Sequence, residues 1–218
     1  MIKIFRFDNN SREFSANTYV VGEKNGPCVV IDLGTTNDRL IDYIKTNHTA
    51  CLGVLLTHGH YDHTRGIEKF LQKFNCTVFV HENDEEFFDN PRLNGSLMID
   101  GTPKTVKISS GNRYLLDDED EINFGHGLFF FKVIGTPFHT DGSVCFLYEK
   151  ENALFTGDTV FKDSIGRTDL PGGRSKMIFP SLEKLKTLDP KLKIYPGHGD
   201  ETTLARELEQ NIYFKGGK

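Results

Sequence analysis

The chain has 218 residues, 37% hydrophobic and 26% charged with 18 Phe, a globular composition that argues against disorder. Its 26 Lys and Arg against 31 Asp and Glu give a net charge of −5. That balance offers no field for gripping a phosphate backbone, so no nucleic-acid partner is expected. No apolar stretch reaches the roughly 18 residues that cross a bilayer, and MIKIFRFDNN lacks a secretory signal. A cytoplasmic protein without a membrane partner is the expectation. Cys28, Cys51, Cys76 and Cys145 stand singly beside apolar runs, the pattern of free thiols in a reducing compartment.

Ile2–Phe7, Thr18–Val21 and Cys28–Asp32 read as strands. Leu40, Ile41 and Ile44 recur at helical spacing behind a Thr36 or Asn37 cap. A strand at Cys51–Leu56 precedes a helix carrying Ile67, Phe70, Leu71 and Phe74, then a strand at Thr77–Val80. Asn83 and Glu86 have the spacing of a capping box opening a short helix. Residues 89–112 are rich in turn formers without a clear period, as in a long surface excursion. From the wider 82–112 segment, Phe87, Phe88 and Leu93 would act as a lid or as staples to the body. The acidic run Leu116–Glu121 lacks the spacing and central Gly of a calcium loop and reads as a solvated turn. Strands follow at Leu128–Ile134, Ser143–Tyr148, Ala153–Thr156 and Lys193–Tyr195, with helices near Ser181–Leu188 and Thr203–Phe214. No repeat or linker divides this layered α/β or α+β pattern, so one domain over 1–218 is expected.

The chemistry concentrates in Leu55-Leu56-Thr57-His58-Gly59-His60-Tyr61-Asp62-His63, where an apolar strand ends in four metal-competent side chains. His58 and His60 point to one side of an extended chain, and the backbone must turn before Asp62 and His63 both face inward. That suits two neighbouring metal positions better than one tetrahedral site. Imidazole nitrogen with carboxylate oxygen fits zinc, iron or manganese. The spacing differs from the H-E-x-x-H helix of metalloproteases. His139, Asp158 and His198 each follow an apolar run among Gly, Pro or Thr, and they can fill the positions the first cluster leaves open.

The order T-H-x-H-x-D-H, Thr136-Pro137-Phe138-His139-Thr140-Asp141-Gly142-Ser143, F-T-G-D and Y-P-G-H-G resembles the metallo-β-lactamase-fold hydrolases. Within them the chain is similar to the short, single-domain glyoxalase II-like branch through Asp163–Gly173. The resemblance implies a four-layer αβ/βα sandwich of the α+β class. It implies two divalent metal ions, zinc first and iron or manganese as substitutes. One would be held by His58, His60 and His139, the other by Asp62, His63 and His198, with Asp158 bridging. A metal-activated hydroxide would then hydrolyse a hydroxyacyl thioester such as lactoylglutathione, with Asp62 as the catalytic carboxylate that orients it or accepts its proton. The small-molecule substrate is the only partner the resemblance brings. Full-length glyoxalase II enzymes carry a C-terminal helical domain that helps bind glutathione, whereas only 20 residues follow His198 here. Alternatives on the same fold are a mononuclear iron persulfide dioxygenase, a lactonase and a phosphodiesterase.

Weaker signals remain. Arg167 could clamp a substrate carboxylate, or pin its loop to Asp163 or Asp169. His81 reads as a surface residue or a support for a ligand. Some carboxylate or carbonyl must hold the ligand histidines, and Asp32 and Asp100 are conceivable. Cys145 reads as a core thiol; His48 and His126 receive no role.

Overall fold

In β2 (Thr18–Gly22), β3 (Gly26–Ile31), β9 (Val144–Tyr148) and β10 (Ala153–Gly157) nearly every side chain is buried, so each strand has apolar partners on both faces. Tyr19, Val21, Val29 and Ile31 join Val144, Phe146, Tyr148, Ala153 and Phe155 in one apolar layer. The residues between them point the other way. Val20, Cys28 and Val30 belong to a second layer, and Cys145, Leu147 and Leu154 to a third. Three apolar layers require four structural ones. The computed structural model, which describes residues 1–7 and 15–216, has them.

One sheet runs β1 (Lys3–Phe7), β2, β3, β4 (His48–Leu55), β5 (Thr77–His81) and β6 (Arg113–Leu116). It is antiparallel through β3 and parallel from β3 to β6. The other runs β14 (Thr202–Thr203), β13 (Lys193–Pro196), β10, β9, β8 (Phe129–Gly135) and β7 (Glu121–Phe124), with β10 and β13 its parallel pair. Aromatic rings fill the space between the sheets; Phe131 stacks on Tyr148 at 4.8 Å and Phe155 on Tyr195 at 5.2 Å. Outside the first sheet, α1 (Asp38–Asn47) buries Leu40, Ile41 and Ile44, and α3 (Ile67–Leu71) buries Ile67 and Phe70. Outside the second lie α5 (Ile178–Lys186) and α6 (Leu204–Gln210), with Leu182, Leu185 and Leu204 buried. The architecture is the four-layer αβ/βα sandwich that the resemblance implies.

Local expectations fared unevenly. Asn37 caps α1, accepting from Arg39 N at 2.9 Å. The Asn83–Glu86 box is absent: the helix there is a 3₁₀ helix over Glu82–Phe88, capped by the His81 side chain, which accepts from Asn83 N. His81 is therefore a buried cap beside Asp118, neither on the surface nor bonded to a ligand histidine. β6 and β7 lie where no strand was expected. Tyr114 and Leu115 are exposed on β6, which hides its pattern; Ile122 and Phe124 alternate on β7 over only four residues. The 89–112 excursion contains a short helix, α4 (Ser96–Asp100), and sends Val106 and Ile108 into the first apolar layer. All four cysteines are buried free thiols. Among the described residues no helix is long and apolar enough to cross a membrane.

Candidate metal centre

Each candidate ligand follows the carboxyl end of a strand. After β4, His58 and His60 lie on an extended loop, and the single turn of α2 (Tyr61–Thr64) brings Asp62 and His63 back over it. That turn is closed by His63 N and the Thr64 hydroxyl, both donating to the His60 carbonyl at 3.0 Å. His139 follows β8, Asp158 follows β10, and His198 follows β13. Gly157, with φ +49°, makes the turn that presents Asp158, and a Cβ there would collide with Thr57.

All seven side chains converge. Three groups have ligand atoms within 4.8 Å of one another: His58, His60 and His139; His58, His63 and Asp158; Asp62, His63 and His198. His60 Nδ1 is 2.9 Å from His139 Nε2, and His198 Nε2 is 3.0 Å from Asp62 Oδ2. Asp158 spans the two sides, 3.4 Å from His139 Nε2 and 3.2 Å from His63 Nε2.

The remaining ring nitrogens orient the histidines. His63 Nδ1 meets Asp32 Oδ2 at 2.8 Å, His139 Nδ1 meets the Arg167 carbonyl at 2.7 Å, and His58 Nδ1 meets the Thr57 hydroxyl at 3.2 Å. A proton on Nδ1 of His63 and His139 leaves Nε2 as a lone-pair donor. The buried Nε2 atoms of His58 and His60 have no hydrogen-bond partner, and His63 Nε2 and Asp158 Oδ1 face each other at 3.2 Å. Unpartnered buried polar atoms are costly unless something else binds them, so this donor set fits divalent metal ions.

Burial pushes the His58 imidazole well below its ordinary pKa and lowers His60 to about 3, with the neighbouring rings adding to both. Burial acts the same way on His63, but Asp32, Asp158 and Asp62 outweigh it and hold this imidazole well above its usual value. The same competition raises His198, through Asp158 and Asp62. Asp158 is held well below the carboxylate range, where His198 and His63 overcome its burial.

Two aspartates brace the ligand loops. Asp32, at φ +55°, accepts from Thr57 N and the Thr57 hydroxyl at 2.8 Å each as well as facing His63. It is the supporting carboxylate the sequence made conceivable, whereas Asp100 pairs with Arg65. Asp84 was missed. Fully buried, it accepts from Gly59 N at 2.7 Å, the Thr140 hydroxyl at 2.7 Å and Gly142 N at 2.8 Å, tying the His58–His60 loop to the His139 loop. Its position in a run of five acidic and amide residues gave no local signal.

A cavity of about 540 Å³ opens on His60, Asp62, His139, Asp158 and His198. Arg167 is on its wall, but both Nε and Nη2 are engaged by Asp169 at 2.6 Å, the loop-pinning arrangement. Phe87 backs the His60 ring at 5.6 Å and Phe88 lies in the core; it is Met98 and Ile99 of α4 that reach the cavity.

The family model for the metallo-beta-lactamase superfamily matches residues 11–198. A probable metallo-hydrolase of Bacillus subtilis, YqgX, is 33% identical over 92% of this chain and 93% of its own. The hydroxyacylglutathione hydrolase GloC of Haemophilus influenzae is 30% identical over 92% of this chain and 93% of its own. The crystal structure of the B3 metallo-beta-lactamase BLEG-1 superposes with a TM-score of 0.87 at 33% identity, covering 99% of this chain and all of that one. With this fold and His/Asp cluster, the chain belongs to the metallo-beta-lactamase superfamily of metal-dependent hydrolases.

Proposed function

We propose that the chain hydrolyses hydroxyacyl thioesters, with lactoylglutathione as the type substrate and with two divalent cations, zinc in our reading, as cofactors. The observation that carries this is the meeting of two ligand groups at Asp158 beneath an open cavity. The similarity to GloC supports the thioester. His58, His60 and His139 would hold one cation and Asp62, His63 and His198 the other, with Asp158 between them. The cations would supply an acidified water and positive charge opposite the developing oxyanion.

The chain's own residues supply placement and proton handling. Asp62, buried and fixed by His198 at 3.0 Å, faces the cavity where an attacking water would sit and accepts its proton. Asp32 and the Arg167 carbonyl keep His63 and His139 in one tautomer. Asp84 holds the two histidine loops in register.

Lactoylglutathione incubated with metal-replete protein tests the reading, with loss of thioester absorbance as the signal. Turnover is expected, abolished in His58→Ala and cut by about 10²–10⁴ in Asp62→Asn with little change in melting temperature. No turnover from protein carrying two metals would overturn it. The likeness to the BLEG-1 B3 metallo-beta-lactamase favours a second reading, β-lactam ring opening, so a chromogenic cephalosporin belongs in the same assay. Oxygen uptake with a persulfide by the iron-loaded protein would instead select the dioxygenase.

A further inference from the structure

Besides the candidate ligands, most of the residues lining the cavity are apolar. Met98 and Ile99 come from α4, and Phe161, Ile165 and Leu170 from the segment that follows Asp158. Phe161 approaches the His198 ring edge-on at 6.1 Å, so the apolar surface begins directly beside the candidate ligands. Met98 is 60% exposed and its neighbour Leu97 55%, an apolar surface left open to water on a five-residue helix.

That helix is held in place. Asn94 accepts from Ser96 N at 2.9 Å and donates to the Lys104 carbonyl at 2.9 Å, while Lys104 N donates to the Ser96 hydroxyl at 2.9 Å. The apolar wall is therefore a built surface at the foot of the 82–112 excursion. Among the described lining residues Arg167 is the one Lys or Arg, and Asp169 occupies its fork. A peptide thiol such as glutathione carries two carboxylates, and no Lys or Arg other than Arg167 stands among the described lining residues to meet them away from the candidate ligands.

We propose that the cavity binds the uncharged, apolar acyl chain of a thioester, laid between α4 and the Phe161–Leu170 segment. This rests on the thioester hydrolysis proposed above and departs from it in one respect: the preferred acyl group is an apolar chain on an uncharged thiol, with lactoylglutathione a slower substrate. A volume of about 540 Å³ lies within the usual range for small-molecule sites, about 300–1,000 Å³. In the reaction the oxygen of water forms a C–O bond to the acyl carbon, the C–S bond breaks, one of the water's two protons passes to the departing thiolate and the other to solvent, and the acyl group leaves as a carboxylate. No redox partner is required.

The test compares acetyl, butyryl, hexanoyl and adipoyl thioesters of one short uncharged thiol, with lactoylglutathione alongside, on metal-replete protein. From acetyl to hexanoyl, kcat/KM is expected to rise by about fourfold for each methylene buried. Adipoyl, of equal length but ending in a carboxylate, should fall at least about tenfold below hexanoyl. Met98→Lys, a change at an exposed position, should reverse the hexanoyl-to-adipoyl preference. Equal turnover of hexanoyl and adipoyl would overturn the proposal. So would lactoylglutathione exceeding hexanoyl with that excess lost in Arg167→Ala.

A second readout is independent of catalysis. Calorimetric binding of a hexyl thioether to metal-free protein should be tighter than that of its ω-carboxylate counterpart, and equal affinity would again overturn the proposal. If the hexyl thioether binds selectively but no thioester is cleaved, the cavity assignment stands and the hydrolytic reading fails.

Discussion

His58, His60 and His139 present three imidazoles, two of which burial drives toward the neutral form, whereas Asp62, His63 and His198 sit among the carboxylates of Asp32, Asp62 and Asp158. The supports differ in the same way. Asp84 holds the first side mainly through the backbone N–H groups of Gly59 and Gly142, so it places loops. Asp32 faces the His63 ring directly, so it places a side chain and shifts its charge. One half of the site depends on where the backbone runs, and the other on a balance of buried charges. Asp158 lies between them, 3.2 Å from His63 and 3.4 Å from His139.

Removing that shared residue should have the largest effect. Asp158→Ala is expected to weaken both metal sites by more than about a hundredfold, beyond the 10–100-fold typical of outer partners. Metal content by elemental analysis after dialysis checks this, and retention of two tightly bound ions would remove Asp158 from the bridging position proposed for it. Next comes Asp32→Ala, which strands the Thr57 N–H, the Thr57 hydroxyl and the His63 ring without their acceptor. A loss of about 3 kcal/mol follows, or about 6–12 °C in melting temperature for a chain of this size. Calorimetric melting reads it, and metal titration should show the deficit on the His63 side.

Asp84→Asn should be milder, since the amide keeps one acceptor oxygen but presents an NH₂ to groups that donate. About 1–3 kcal/mol of stability should go, with metal affinity falling mainly on the His58–His60–His139 side. Titration of the apoprotein with cobalt, followed by its visible spectrum, separates the sides; equal weakening of both would erase the distinction between loop placement and charge balance. The smallest effect belongs to Arg167→Ala. Its ion pair with Asp169 is exposed, and the atom that holds His139 is its backbone carbonyl, which alanine retains. Melting temperature and metal content should stay unchanged, and loss of a metal would show that the guanidinium, not the carbonyl, positions His139.

The seven candidate ligands were legible because each stands in a short segment where an apolar strand gives way to Gly, Pro or Thr, a pattern confined to a few neighbouring residues. The layering was legible in part. Long strands such as β8 and β9 declare themselves, while β6 and β7, of four residues each, take their pairing from β5 and β8 and carry little pattern of their own. The capping signal at the start of the 82–112 segment also proved weak: Asn83 and Glu86 have the right spacing, yet the buried His81 ring captured Asn83 N first.

Residue type along the chain was enough to mark which side chains could bring metal-binding chemistry and which strand ends carry them, because both are local properties. The supports and walls of the site came from packing. Asp32 meets Thr57 and His63 across 25 and 31 residues, and Asp84 meets Thr140 and Gly142 across 56 and 58. Arg167 contributes a carbonyl where its side chain had drawn notice, and α4 supplies a cavity wall from a segment without periodicity. Hydrogen bonds and walls of this kind join residues distant in the chain, and their partners are set by how the two sheets pack.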